Sequence, residues 1–313
     1  IYASHAGPIS MATYTNSLPE QNTAALEEAR MPWTAIAWFG GLLILCYALV
    51  LYHLVQQWAH DDDMGHGFFV PLVSAYLVWQ RRAELSAAKP VPNYWGLALV
   101  VLGALQMMLG TLSAQIFIAR TAFLVSLIGA VWFLGGTRTL KILRFPLFLL
   151  VFMYPIPAII YARLTLPLQL FASAVAETIL NFLGIPVLRD GNVLELASQR
   201  LSVVEACSGI RSLLTLSYLA LVYGYFFDRK VWMRWVLLAA TVPIAIAANA
   251  TRVTLTGLIS EWRTDLAHGF FHAVEGWVLF AVAAALLFLF HQAVNRIYRA
   301  IHKKAPEAAQ SNA

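Results

Sequence analysis

Charge is scarce in this chain. Asp, Glu, Lys and Arg make up 12% of its 313 residues and 60% are hydrophobic, whereas an average soluble domain is roughly 25% charged. With a mean hydropathy of +0.69, a water-soluble globule is excluded and a bilayer is the natural solvent. Cysteine is scarcer still, with only Cys46 and Cys207. Because Cys46 falls inside an apolar run, a structural disulfide is not expected. Residues 1–32 contain no basic stretch followed by a short apolar core and a cleavage site, so no secretory signal is read there. Met11 is taken as the natural start and residues 1–10 as an expression remnant. No internal repeat or low-complexity tract divides the chain. The net charge of +5 could suggest nucleic acid, but the basic residues lie in short clusters between apolar runs, as membrane proteins mark one side. Nucleic acid is therefore excluded as a partner, and membrane lipids are expected.

What the chain does have is apolar runs of spanning length, about 20 residues each. We expect an all-α polytopic membrane protein with about eight spans, at 33–56, 66–80, 94–113, 117–135, 146–162, 208–227, 235–258 and 270–292. The fifth contains Pro155 and Pro157 and is a candidate for a kinked or re-entrant segment. Alternate connections carry the cations: Arg30; Arg81, Arg82 and Lys89; Arg138, Lys141 and Arg144; Arg229, Lys230 and Arg234; Arg296, Arg299, Lys303 and Lys304. Both termini are thereby assigned to the cytoplasm. The domain reading is a cytoplasmic tail over 1–32, one membrane domain over 33–292 and a basic cytoplasmic tail over 293–313.

The long outer segment divides in two. Residues 163–184 are helix-prone, carry Glu177 and Asn181 four apart, and are expected to lie along the membrane interface. Short β-prone runs follow, joined at Asp190-Gly191 and Ser198-Gln199, which predicts a small extracytoplasmic hairpin or three-strand meander just before Cys207.

Ionisable residues inside a membrane are costly and need a partner or a function. Cys207 falls at the outer end of the sixth span. Arg252 lies about two turns from the outer end of the seventh, with Asn249 three residues earlier on the same face. His272 and Glu275 open the eighth. Three helices thus bring a thiol, a guanidinium and an imidazole to one depth on one side. A helix N-terminus and a nearby cation favour a thiolate nucleophile, an imidazole can take and return the proton, and a fixed arginine can stabilise an oxyanion. Together they spell acyl transfer. Each has a plainer reading alone: Cys207 as packing, Arg252 as a structural charge paired with Glu275 or Glu205, and His272 as an interfacial hydrogen-bonding residue. Arg211, four residues after Cys207, is a second oxyanion candidate or a partner of Glu205 or Asp265; Ser208 is a supporting candidate. Gly257 is read as permitting close helix approach. His60, Asp61, Asp62, Asp63 and His66 could bind a divalent ion, but are read as a solvated acidic loop. His268 and His272 lack the acid of a zinc-protease motif. No metal and no cofactor is expected.

The ordered motifs VVEACSGIRSL around Cys207, NATR ending at Arg252 and GFFHAVEGW around His272 resemble the exosortase/archaeosortase family of polytopic cysteine transpeptidases. HGFFVPLVSAYLVW and DGNVLEL resemble its early helix and the segment before its cysteine. The resemblance covers roughly residues 60–290 and implies a bacterial inner-membrane enzyme with its site toward the periplasm. Its substrates would be secreted proteins with a C-terminal PEP-CTERM signal, consisting of a Pro-Glu-Pro motif, a transmembrane helix and a basic tail. By carry-over, Cys207 forms a thioacyl enzyme, Arg252 stabilises the oxyanion, His272 is the acid/base, and an unknown acceptor receives the product. Family members often accompany exopolysaccharide genes. The long C-terminal soluble domain of some exosortases is not expected here. Alternatives are a transporter or non-catalytic scaffold of polysaccharide export, with Arg252 binding an anion, and a thioester-forming membrane acyltransferase.

Overall fold

A computed structural model describes residues 33–197, 199–202, 209–262 and 270–310, with side chains omitted at 62–63, 209–211, 262, 270–276 and 303–310. Ten α-helices are described: α1 Trp33–Cys46, α2 Ala48–His60, α3 Phe69–Gln80, α4 Arg82–Ala87, α5 Tyr94–Leu112, α6 Ile116–Leu149, α7 Ala158–Phe182, α8 Gly209–Phe227, α9 Val231–Trp262 and α10 Phe270–Gln310. Strands β1 Val187–Asp190, β2 Val193–Leu196 and β3 Arg200–Ser202 lie between α7 and α8. Among the described residues five helices are long and apolar enough to cross a membrane: α5, α6 with its following turn, α7, α9 and α10. A sixth arises if α1 and α2, bent by 69°, form one span, and α8 supplies a shorter apolar helix. The chain is a multi-pass membrane protein.

The bend between α1 and α2 is held by Tyr47. Its hydroxyl is 3.1 Å from the Gly103 carbonyl and 2.8 Å from Ser126 Oγ, so this polar atom is satisfied without water, as a bilayer core demands. Gly96, Gly103 and Gly110 recur every seven residues along the buried face of α5. A Cβ at Gly103 would strike Ser126 of α6, whereas one at Gly40 would meet nothing within 4 Å. Glycine here lets two backbones approach. Gly103→Val is accordingly expected to cost about 1–3 kcal/mol through overpacking and to lower the thermal midpoint in detergent, with Gly40→Val as the neutral control.

Several expected boundaries moved. The cations Arg138, Lys141 and Arg144 do not sit in a loop. Gly136, at φ 72°, turns the chain, and a second helical limb follows. Its buried residues Thr139, Leu143 and Leu147 alternate with the exposed cations at helical spacing. Residues 146–162 are therefore not one span: the limb ends in a 3₁₀ turn at Met153 and α7 starts at Ala158, since Pro155 and Pro157 cannot sustain helical bonding. Of the stretch 163–184, read as helix-prone, residues 163–182 form most of α7, a 25-residue helix that is long and apolar enough to cross a membrane. The second limb of α6 runs beside α8, with Phe145 stacked on Tyr225 at 4.6 Å and Phe152 6.0 Å from Tyr218. Finally, α10 continues without a break through 293–310, the stretch read as a tail.

The meander is present as an antiparallel sheet in the order β1-β2-β3. Asp190 pairs with Val193, so the first turn is Gly191-Asn192, one residue beyond the expected position, with Gly191 supplying φ 61°. Glu177 and Asn181 fasten this sheet to α7. The Glu177 carboxylate accepts from Arg189 Nε at 2.7 Å, and Asn181 Oδ1 accepts from the Val187 amide at 3.2 Å. Leu194, Leu196 and Leu201 of the sheet pack with Ala176 and Leu180 of α7 and with Ala250 and Val253 of α9. Gly257 is a point of close approach, because a Cβ there would lie 2.8 Å from Leu180 Cδ1.

Candidate active site

Helices α8, α9 and α10 pack as a trio around Leu216, Ala220, Leu237, Ala240, Ala283 and Leu287. Polar contacts mark their relative register. On antiparallel α8 and α9, Ser217 Oγ and Thr241 Oγ1 are 3.1 Å apart. Eight residues along each helix, toward the end that carries the sheet, Gly209 of α8 comes level with Asn249 of α9, and Arg252 is one turn further on. On parallel α8 and α10, the Tyr223 hydroxyl meets His291 Nδ1 at 2.9 Å across 68 residues. The same offset brings Ser212 level with Phe280.

These registers converge on a cleft lined by Ser212 and Leu216 of α8, Asn249 and Arg252 of α9, and Leu279 and Phe280 of α10. Asn249 is buried at 8% exposure. It also lines a second, more apolar space with Leu168 of α7 and Leu213 of α8. Ala250 and Val253, one residue on from each polar member, face the sheet. One turn of α9 thus carries polar groups into the cleft and apolar groups into the sheet. β3 ends at Ser202 beside that turn, and α8 begins at Gly209.

Of the residues singled out from sequence, Asn249 and Arg252 lie together in this cleft. Glu205, Cys207 and Ser208 lie outside the described residues, in the connection between β3 and α8. Arg211 is in the first turn of α8, and His272 and Glu275 are in the first turns of α10; their side chains lie outside the described set. His272 is seven residues before Leu279, two turns away on the same helical face. A chemistry that needs an oriented cation beside a helix N-terminus is available here, since guanidinium and terminal N–H groups both favour developing negative charge.

The acidic loop does not gather its imidazoles. His60 is exposed, with Nδ1 2.8 Å from the Gln56 carbonyl of its own helix. His66 is buried, with Nε2 3.2 Å from the Phe152 carbonyl and Nδ1 3.4 Å from Thr215 Oγ1 on α8. Among the described residues, no group of three metal-ligating side chains forms. Asp61 instead accepts from Gln57 Nε2 at 3.0 Å, and Gln57 Oε1 accepts from Arg120 of α6.

A second polar cluster escaped the sequence reading. At the opposite end of the trio, Asp228 and His291 are buried at 8% and 6% exposure. The Tyr223 hydroxyl is 2.9 Å from His291 Nδ1, and the other ring nitrogen, His291 Nε2, is 3.0 Å from Asp228 Oδ2 and 2.7 Å from Asn295 Nδ2. Asn295 Nδ2 donates to the same carboxylate at 3.0 Å. The Lys230 amide donates to Asp228 Oδ1 at 2.8 Å, and Lys230 Nζ to Asn295 Oδ1 at 2.9 Å. Burial is the largest influence on the Asp228 carboxyl and opposes its ionisation, but these donors together with the Lys230 charge outweigh it and hold the group below the usual carboxylate range. The signal that could have found the cluster is an imidazole at 291 inside an apolar run, which by itself asks for a partner.

A membrane bundle whose polar cleft lies beside a small sheet and two helix starts defines a class of membrane-embedded site. The particular family follows from comparison: residues 58–289 match the family described as transmembrane exosortase (Exosortase_EpsH), and the chain belongs to that family. No curated protein and no solved structure matches it.

Proposed function

We propose that this protein is a cysteine transpeptidase of the bacterial inner membrane. It cleaves the C-terminal PEP-CTERM-type signal of secreted proteins through a thioacyl intermediate on Cys207 and passes the acyl group to an acceptor. The observation that carries the reading is the common depth of three helix positions. Gly209, two residues after Cys207, is level with Asn249 and one turn from Arg252. The 68-residue offset of α8 and α10 sets Gly209 level with Trp277, five residues after His272, a rise of about 7 Å. Family membership supports a membrane transpeptidase in general, and the order of the motifs supports these three residues in particular.

In this reading the Cys207 thiolate attacks the scissile carbonyl, and the oxyanion faces Arg252. His272 returns a proton to the leaving amine as the C–N bond breaks. The acceptor nucleophile then gives up its proton to His272 and displaces the thiolate. Glu205, Ser208, Arg211, Asn249 and Glu275 support this centre. Substrate, acceptor and lipids are the partners.

Eight passages accommodate the site, with both termini cytoplasmic. They are α1 with α2, α3, α5, the first limb of α6, the second limb with α7, α8, α9 and α10. The fifth is broken at the prolines. Arg81 and Arg234 support this orientation because both meet Tyr225 at the far end of α8, through a 2.9 Å hydrogen bond and a 4.7 Å cation–π contact. Both belong to the basic connections assigned to the cytoplasm.

Trapping provides the test. A reporter ending in a Pro-Glu-Pro motif, a transmembrane helix and a basic tail is co-expressed with the protein and quenched in acid. We expect a hydroxylamine-labile reporter adduct on the peptide containing Cys207. Cleavage of the reporter with the adduct on no cysteine would refute the thioacyl route, and no cleavage at all would refute the substrate class.

A further inference from the structure

The buried cluster of Tyr223, Asp228, Lys230, His291 and Asn295 lies at the far end of the helices that carry the proposed site. Tyr223 is on α8, Asp228 and Lys230 occupy the α8–α9 turn and its edge, and His291 and Asn295 are on α10. The apolar part of this interface cannot set its own register. Leu216, Ala220, Ala283 and Leu287 would pack nearly as well after a displacement of one turn, because an interface of leucine and alanine is degenerate along the helix axis. A hydrogen-bonded carboxylate is not degenerate. The same displacement would part Tyr223 from His291 and, because His291 and Asn295 are one turn apart, would leave Asp228 with only one of the two donors that now meet Oδ2. A buried carboxylate would then lose part of its hydrogen bonding, and His291 would lose Tyr223, which is costly. Polar groups at one level of an apolar helix interface are the best attested device for fixing register.

The helices are long enough for this to matter. His272 is 19 residues before His291 on an unbroken helix, about 28 Å away at 1.5 Å per residue. Lys230 closes the arrangement from outside: its ammonium sits 3.8 Å from the Tyr298 ring centroid while bonding Asn295, so the turn and α10 are clasped over two further helical turns.

We propose that this cluster is a register lock, and that Asp228, His291 and Asn295 are positioning residues which set the depth of α10, and with it His272, against Cys207 and Arg252. The proposal rests on the reading that the outer ends of these helices carry the reaction, but its test does not depend on activity. In a Cys46→Ser, Cys207→Ser background, Ser212→Cys is paired either with Phe280→Cys, its level partner, or with Ala283→Cys, about one turn displaced, and each pair is cross-linked by a short thiol reagent in native membranes. With the lock intact the level pair should dominate. Asp228→Asn should lower the ratio of level to displaced product at least about threefold, in keeping with a one-turn slip between packed elements. Tyr223→Phe, which removes one hydroxyl and keeps the ring, should move the ratio in the same direction and serves where Asp228→Asn does not accumulate.

The second readout uses the natural cysteines and the reporter described above. Asp228→Asn should reduce kcat per folded molecule about 10- to 100-fold with KM nearly unchanged, as misplacement by an ångström or more does. An unchanged cross-linking ratio in both variants would overturn the lock. An altered ratio in a protein whose parent does not cleave the reporter would uphold the lock and remove the catalytic reading instead.

Discussion

Cys207→Ala should abolish cleavage of a reporter carrying the Pro-Glu-Pro motif, helix and basic tail, lowering turnover by at least about 10⁴-fold, while the protein still inserts and folds. The size of the effect follows from the chemistry. Without a thiolate there is no thioacyl intermediate, and no other side chain in the described cleft is a comparable nucleophile. Ser212 is an unactivated hydroxyl in a membrane cleft, and no described imidazole lies among the cleft's lining residues. The measurement is reporter length on a gel, normalised to folded membrane protein. It also separates the proposal from its rivals. A polysaccharide transporter or scaffold would keep its function with alanine at 207. A lipid or sugar acyltransferase would lose activity on its own acyl donor without ever shortening the reporter. Full processing by Cys207→Ala would sink the nucleophile assignment.

The sequence made the class of protein plain and the small sheet too, because those features depend on composition and local pattern. Long apolar runs and the alternating basic connections predict a multi-pass helical protein, and short β-prone runs around Gly191 predict the sheet. Where the reading slipped, a local signal carried two meanings. Arg138, Lys141 and Arg144 read as loop residues by charge, yet their spacing matches the exposed face of a helix whose other face is Thr139, Leu143 and Leu147. In 163–184, Glu177 and Asn181 read as one polar face of a helix, and Gln169 lies on the same helix. In the structure these side chains bond the sheet and its turn, with Gln169 accepting from Asn192 at 3.1 Å. Their polarity is spent on a tertiary contact that no window of sequence contains.

The site was legible in part for the same reason. The co-location of Asn249 and Arg252 follows from a three-residue spacing on one helix, which sequence can show. Their placement opposite Ser212 and Phe280 depends on the lateral packing of three helices, and that is set by contacts 24 and 68 residues apart, at Ser217–Thr241 and Tyr223–His291. Neither pair has any signature along the chain. Asp228 was hidden by its neighbours, since a carboxylate next to Arg229 and Lys230 reads as part of a basic cytoplasmic turn. Only the fold turns it inward.

Arg252→Lys should reduce kcat about 10²- to 10³-fold, the usual cost of losing one oriented oxyanion donor, and should leave KM close to its original value. Lysine keeps the positive charge, so a role limited to attracting an anionic substrate, or to balancing a nearby carboxylate, would survive the change. What lysine lacks is the planar fork of donors, which fixes direction as well as charge. Arg252 has a setting in which direction can be enforced. It is half-buried, in the same turn of α9 as buried Asn249, and its backbone neighbours Ala250 and Val253 are clamped by the sheet and α7, so the helix face cannot rotate away from the cleft. A tetrahedral oxyanion exists only after attack, and a donor aimed at it contributes to the barrier rather than to substrate binding; hence the split between kcat and KM. Asn249→Ala should show a smaller fall of the same form if Asn249 supports that geometry from one turn below. If instead Arg252→Lys turns over the reporter at the parent rate, or loses affinity with kcat intact, the guanidinium is a structural or anion-binding charge and the oxyanion assignment fails. Measuring both variants per folded molecule removes the remaining ambiguity, since a purely structural arginine would change the yield of protein and not the rate at which each molecule works.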